Sequence, residues 1–434
     1  MIDRLKSIIA FFLLPLSLTS TRGMAQSRRE DIHTDFVLWQ KRTTLEKDLR
    51  ERIVGKTFSM PLDSNTEDRY LSACWAISQF LFDGPDVIAG FDKLSAGYRS
   101  LDYDTKKAFL EAVYAVEPKR YNRTIATILE QETDPKLFAI GAVYLFRIDT
   151  TTSYANTLKI AMVEKFPGYD TIPLLKELET FLSYHPALIK DKTPDIPTLI
   201  RYAAALHQKT VFSFQRWDRD QPGLAVVMNE DGHFVRDAQG RLQVFPQLAR
   251  SGSDLPYFIT NGSTPQGIYS ITGTAVSRTN FIGPTPNLQL IMPFEDAWSH
   301  YCWGDTLTAA APGFDSLQAY LGLLPPAWRS YKPMLEAWSA GRIGRTEIIA
   351  HGTTIDPEFF KDRPFYPLTP TMGCLCAKEL WNPTTGRLLV SEQFNLVSAF
   401  LSTPARKGYL YVIDVDNRRQ PLTRAEVEAW VGKW

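Results

Sequence analysis

Charge of one sign is what this chain most plainly lacks: 48 Lys and Arg stand against 48 Asp and Glu, with no long run of either sign. A nucleic-acid backbone is held by an excess of basic side chains, so nucleic acid is not an expected partner. Histidine and cysteine are also scarce, six and four in 434 residues. The histidines are scattered, with no His-Glu-x-x-His and no paired Cys-x-x-Cys spacing, and no Gly-x-x-x-x-Gly-Lys loop is there to cradle a phosphate. The expectation is no metal and no cofactor. Long apolar runs are missing too. The run from Ile8 to Leu18 is interrupted by Pro15 and falls short of the roughly 20 residues that a membrane-spanning helix needs.

What that run does fit is export. Arg4 and Lys6 precede it, and Gly23-Met24-Ala25 follow, small residues at the positions a signal peptidase inspects. Residues 1–25 are expected to be a leader cleaved after Ala25, with no integral membrane segment once it is gone. No cysteine stands near that point, which argues against a lipoprotein. Exported chains usually spend cysteines on disulfides, and Cys74, Cys302, Cys374 and Cys376 allow three pairings. Cys374 and Cys376 are too close in the chain to bridge each other without strain. A Cys74 to Cys302 staple stays open.

At roughly 100 to 200 residues per domain, the length allows two or three units. Residues 26–208 read as helices. Asp104 is the expected N-cap of a helix whose stripe is Ala108, Phe109, Ala112, Val113 and Val116, and Asp134-Pro135 opens another. Further helical pieces fall at 71–82, 125–129, 174–182 and 199–206. No signature residue recurs at a fixed period, and packing or scaffolding is the expected role. After Lys209 the texture changes to short runs of branched and aromatic residues separated by turn material, at 210–214, 223–228, 241–245, 255–260 and 267–272. Strands are also predicted at 287–292, 347–351 and 409–415. The predicted fold class is therefore multidomain α + β: an all-α domain at 26–208, then a mostly β domain at 209–434 with a helical insertion at about 294–345. Such an insertion forms either a wall over a site or a plain structural cap.

The chemistry concentrates at PTMGCLCAKEL, residues 370–380. A sulfur nucleophile needs a proton acceptor, donors for the oxyanion and room for a substrate to come close. Gly373 permits a tight turn that presents Cys374. Upstream, a predicted strand delivers His351, followed by Gly352, and imidazole exchanges protons near neutral pH. The two together would form a thiolate–imidazolium pair, with the thiol pKa drawn down from roughly 8.5. Residue types alone favour a second reading: Cys374 as a small buried residue and His351 as a satisfied strand-end donor.

Three segments add to this. TPQGIYSI at 264–271, IIAHGT at 348–353 and TMGCL at 371–375 occur in the order and with the residue types of the L,D-transpeptidase family, the YkuD-like fold. The stretch from 209 to about 417 resembles its catalytic domain, and 223–242 suits the opening hairpin. The resemblance implies Cys374 as nucleophile and His351 as general base. It also implies Thr371 at the Ser/Thr position of the turn, Gly373 and Cys374 at the oxyanion site, and Gly352 easing the chain past the histidine. Thr264, Pro265 and Gly267 match the strand lead-in, where turn-forming roles are expected.

The substrate implied is the peptide stem of peptidoglycan, and the location is the periplasm or the cell wall. An acceptor amine on a neighbouring stem gives a crosslink, an amine on a wall-anchored protein gives attachment, and water gives trimming. Two departures stand out. The interval between His351 and Cys374 is longer than the family's, its extra residues forming an expected loop over the site. The arginine that commonly follows Gly-Cys-Leu is replaced by Cys376, with Arg342, Arg345 and Arg363 as candidate substitutes. These departures keep open a hydrolase of stem peptides and a catalytically impaired wall-binding scaffold.

Overall fold

The structure, a computed structural model, describes residues 28–185, 192–302 and 313–432. The expected leader and its cleavage point lie outside the described residues. The fold mixes helix and sheet, with a helical region first and a closed barrel after it.

The helical region contains Trp39–Lys47, Glu67–Phe80, Pro85–Gly97, Tyr103–Val116, Asn122–Gln131, Pro135–Ile148, Thr152–Lys165 and Pro173–Tyr184. Pro85, Pro135 and Pro173 each open a helix, where the missing N–H costs nothing. Asp134 caps as expected, its carboxylate accepting the N–H groups of Lys136 (2.8 Å) and Leu137 (2.9 Å). Asp104 does not. The N-cap is Asp102, whose backbone is extended, and Asp104 lies inside the first turn, where its charge meets the positive end of the helix dipole. Pro135–Ile148 is buried from Leu137 through Phe146, as a helix apolar all round must be. It forms the centre of a core shared with Phe91, Phe109 and Leu178.

Strands are β1 (Thr210–Gln215), β2 (Gly223–Met228), β3 (Phe245–Leu248), β4 (Gly267–Val276) and β5 (Pro286–Ile291), then β6 (Ala350–His351), β7 (Leu375–Ala377), β8 (Glu379–Trp381), β9 (Leu388–Ser391) and β10 (Gly408–Asp414). The barrel order is β1-β10-β4-β5-β6-β7-β3-β2, with β8 and β9 forming a separate hairpin. The pairs β1/β10 and β6/β7 are parallel and the other barrel pairs antiparallel. β1, β2 and β10 are buried along their whole length; β2 is accordingly apolar throughout, while β1 also buries Thr210, Ser213 and Gln215. Phe212 and Phe214 pack to one face of β1 and Val211 to the other.

Two expected strands are not strands. In the 241–245 run only Phe245 joins a ladder, because Leu242 instead bridges Arg236 across a turn. The 255–260 run is a chain of turns between Asp254 and Asn261, both at positive φ. Leu255, Phe258 and Ile259 leave the barrel and enter the core of the helical region, so their burial comes from a distant partner and not from a sheet neighbour. The predicted strand at 347–351 shrinks to Ala350–His351.

The packing seam also departs from the change of texture at Lys209. Helix Ile196–Ala205 sets Ile196, Leu199, Ile200 and Ala203 against barrel residues Phe212 and Met228 and against Val427 of helix Arg424–Val431. At the other end, Ile32 and Val37 pack with Trp381 and Leu388 of the β8–β9 hairpin. The described part of the insertion caps the barrel through Tyr301, Tyr320 and Trp328. The Ile268 N–H donates to the Tyr320 hydroxyl (2.9 Å), and the Tyr301 hydroxyl donates to the Ile268 carbonyl (2.9 Å). Gly267 sits at φ +132°, where a Cβ would stand 2.6 Å from the Tyr320 hydroxyl. Its glycine is thus required by packing as well as by backbone conformation.

Candidate active site

The three segments singled out in the sequence meet at one turn. Thr371 staples it: its hydroxyl donates to the Cys374 carbonyl (2.8 Å) and accepts the Gly373 N–H (3.0 Å). Gly373 is at φ +118°, and a Cβ there would lie 2.4 Å from Arg345 Nη2 and 2.7 Å from the Gly262 carbonyl, so only glycine fits. The hydroxyl of Thr264 donates to the Gly373 carbonyl (2.8 Å), which joins the lead-in of β4 to the turn.

The Cys374 thiol is half-buried at the start of β7. Sγ accepts the Ile349 N–H and donates to the Glu347 carbonyl, each at 3.5 Å. β6 and β7 run parallel with His351 opposite Cys376, so Cys374 continues the register opposite Ile349. Positions two apart on a strand share a face, and neighbouring strands lie about 4.8 Å apart. The thiol itself is held by the backbone of 347–349, upstream of the histidine along the same segment. No hydrogen bond joins the thiol to His351: the ring bond of His351 is from Nδ1 to the Gly352 carbonyl. A carbonyl only accepts, so Nδ1 carries the proton and Nε2 keeps a lone pair.

The protonation states differ from a thiolate–imidazolium pair. His351 is 4 % exposed, and burial lowers its pKa to about 4, against the opposing pull of the Gly352 carbonyl. Burial pushes the Cys374 thiol up to about 11; the Ile349 N–H and the charge of Arg345 pull it down, while Glu347 and Glu295 push it further up. Burial disfavours the charged form of each group, so the thiol and the imidazole both rest neutral.

The expected oxyanion donors are reduced to one. The Gly373 N–H is taken by Thr371, while among the described residues no protein acceptor takes the Cys374 N–H. Gly352 is close-packed for a reason the sequence did not disclose: a Cβ there would stand 2.2 Å from the carboxylate carbon of Glu379. Cys376 is 1 % exposed, with its thiol within 3.6 Å of the Thr369 hydroxyl and pushed up to about 12 by burial. It is packing material.

Of the three candidate arginines, Arg345 alone touches the turn. Its guanidinium is buried behind Gly373, donating to the carbonyls of Gly262 (2.9 Å), Ser263 (3.1 Å) and Tyr257, so it braces the backbone and is closed to a substrate carboxylate. Arg363 donates to the Leu81 carbonyl (3.4 Å) in the helical region, and Arg342 is exposed. The extra residues between His351 and the turn do not stand over the thiol as a free loop. Phe360, Phe365 and Leu368 pack with Leu81 and Leu248.

A cavity of about 280 Å³ opens between the helical region and the barrel, lined by Arg147, Phe181, Tyr257, Thr264, Glu336 and Asp414 among others. It includes neither Cys374 nor His351. All four cysteines are free, with Cys74 in the helical core and Cys302 against the barrel core. Among the described residues no three His, Cys, Asp or Glu side chains are grouped to hold a metal, and no helix is long and apolar enough to cross a membrane. Comparison with protein-family models, curated proteins and solved structures finds no match.

Proposed function

We propose that this chain is a cysteine acyltransferase of the L,D-transpeptidase kind that acts on peptidoglycan peptide stems in the periplasm or cell wall. The supporting observation is convergence: Thr264, Ile349 and Cys374, from three segments far apart in sequence, are tied to one turn by hydrogen bonds. In the reaction, Cys374 Sγ attacks the carbonyl of the third stem residue as its proton passes to His351 Nε2. The oxyanion faces the Cys374 N–H. Collapse breaks the amide bond, and the imidazolium gives its proton to the departing D-alanine amine, leaving a thioester. An acceptor amine then attacks the thioester, His351 takes the proton lost by that amine, and the thiolate leaves and regains it. Atoms and charge balance over the cycle.

Glu295 and Glu347 both push the thiol up. They oppose ionisation of sulfur at rest. A non-catalytic scaffold is the second reading, favoured by the missing hydrogen bond between the imidazole and the thiol. Incubation of the full chain with a carbapenem separates the two. The expected result is a mass adduct on the peptide containing Cys374, and a folded, reduced sample without one would point to the scaffold. Mass spectrometry of muropeptides after incubation then reads crosslinking against trimming.

A further inference from the structure

Glu379 heads β8, outside all three sequence segments, and its side chain turns inward at 3 % exposed. One carboxylate oxygen accepts the Thr353 N–H (2.9 Å) and the other the Ser391 hydroxyl (2.6 Å). The same carboxylate lies flat on Gly352, so close that any side chain at 352 would collide with it. Gly352 is the residue whose carbonyl holds His351 Nδ1. The segment is clamped at three more points: Gln393 donates to the Ala350 carbonyl (2.8 Å), Trp381 Nε1 to the Thr353 carbonyl (2.8 Å), and the Thr354 N–H to the Phe281 carbonyl (3.1 Å).

We propose that Glu379 is a positioning residue of the acid–base step, fixing the Gly352 carbonyl and, through it, the tautomer and aim of the His351 ring. Its negative charge, one residue removed from the ring, favours the imidazolium that forms as sulfur attacks. The role rests on Cys374 and His351 acting as the reacting pair. The titratable group facing Glu379 from the adjoining strand is the Cys376 thiol, while Gly352, Thr353 and Ser391 are uncharged. Burial places Glu379 itself at about 7, so its charge appears across the working range.

The test uses iodoacetamide on the full chain from pH 5 to 9, reading alkylation of Cys374 by peptide mass spectrometry. His351→Ala supplies the baseline, in which only spontaneous ionisation of the thiol remains and the rate climbs about tenfold per pH unit. The wild-type chain is expected to exceed that baseline by roughly 100-fold at pH 7, the ordinary scale of general-base assistance; the ratio falls as the baseline climbs, while the excess, taken as the difference between the two rates, steps up about threefold as pH rises through 7. Glu379→Gln, the same shape without the charge, should match the wild-type excess below pH 7 and remove the step, ending about threefold lower above it. An unchanged excess and step in Glu379→Gln overturn the role of Glu379 while leaving the pair standing. A wild-type rate equal to that of His351→Ala overturns the pair itself, and the role of Glu379 with it. If Glu379→Gln fails to fold, Glu379→Asp keeps the charge and withdraws it from Gly352; it should retain the step with a smaller excess, and an undiminished excess overturns the proposal.

Discussion

The helical region and the barrel are held together by different kinds of information. In the helices, neighbours in sequence are neighbours in space, so a cap such as Asp134 and a stripe such as Phe109, Ala112 and Val113 specify the element locally. In the barrel, β1 pairs with β10 across almost its whole sequence, and the turn at Cys374 is completed by Thr264. The candidate site lies where distant segments meet, and local patterns are the weaker guide there. The two regions nevertheless share a core through Leu255, Phe258 and Ile259.

The largest effect is expected from the two cysteines of the barrel. Cys374→Ala should abolish turnover in the muropeptide assay, by a factor on the order of 10⁴ or more, with an unchanged melting temperature. Cys376→Ser should behave in the opposite way, keeping part of the activity and losing about 1 to 3 kcal/mol by placing a hydroxyl in a buried site. A Cys374→Ala chain that still turns over would remove the functional asymmetry between these two sulfurs.

Phe258→Ala asks whether the regions are one folding unit. The ring is fully buried, 5.4 Å from Phe181 between centroids, so its loss should cost about 3 to 5 kcal/mol. Denaturant unfolding followed by far-ultraviolet dichroism and by tryptophan fluorescence should shift together. Separate transitions would show that the shared core does not couple them.

A smaller effect comes from the carboxylates at the boundary. Burial raises Glu336 to about 8 and Asp414 to about 7, whereas the unfolded chain holds such groups near about 4. Folding therefore favours their protonated forms. The stability they contribute is fully present below pH about 4 and is lost as pH rises through 7 to 8. The melting temperature should fall between pH 5.5 and 8.5, and Glu336→Gln should flatten the upper part of that fall. An identical slope in the variant would rule out Glu336 as its source. The smallest contrast is between two aspartates. Asp134→Ala should cost about 1 kcal/mol as a lost cap, and Asp104→Ala about 0.3 to 0.5 kcal/mol as a lost dipole contact, both measured in urea.

Much of the local geometry was legible. Thr371, Gly373 and Cys374 form one turn, and His351 with Gly352 ends the strand beside it, because short motifs carry their own geometry. The ionisation states were not legible, since desolvation depends on everything packed around a group. The run at 255–260 was misread because its branched and aromatic residues favour strands. The spacing of Leu255, Phe258 and Ile259 is nonetheless that of a one-sided contact, and their partners are helices over 70 residues upstream. Glu379 carried a faint signal. It alternates with Ala377 and Trp381, and period-two alternation turns all three the same way, into the protein.

The segment from Asp254 to Thr264 has a bearing on ancestry. Its apolar side chains occupy a socket among the helices, while its carbonyls grip the arginine behind the Gly373–Cys374 turn. A recombination that exchanged the first half of this chain for another module would carry away the socket, leave Phe258 bare in water and slacken the grip on Arg345. The two halves are therefore interlocked, each completing a part of the other.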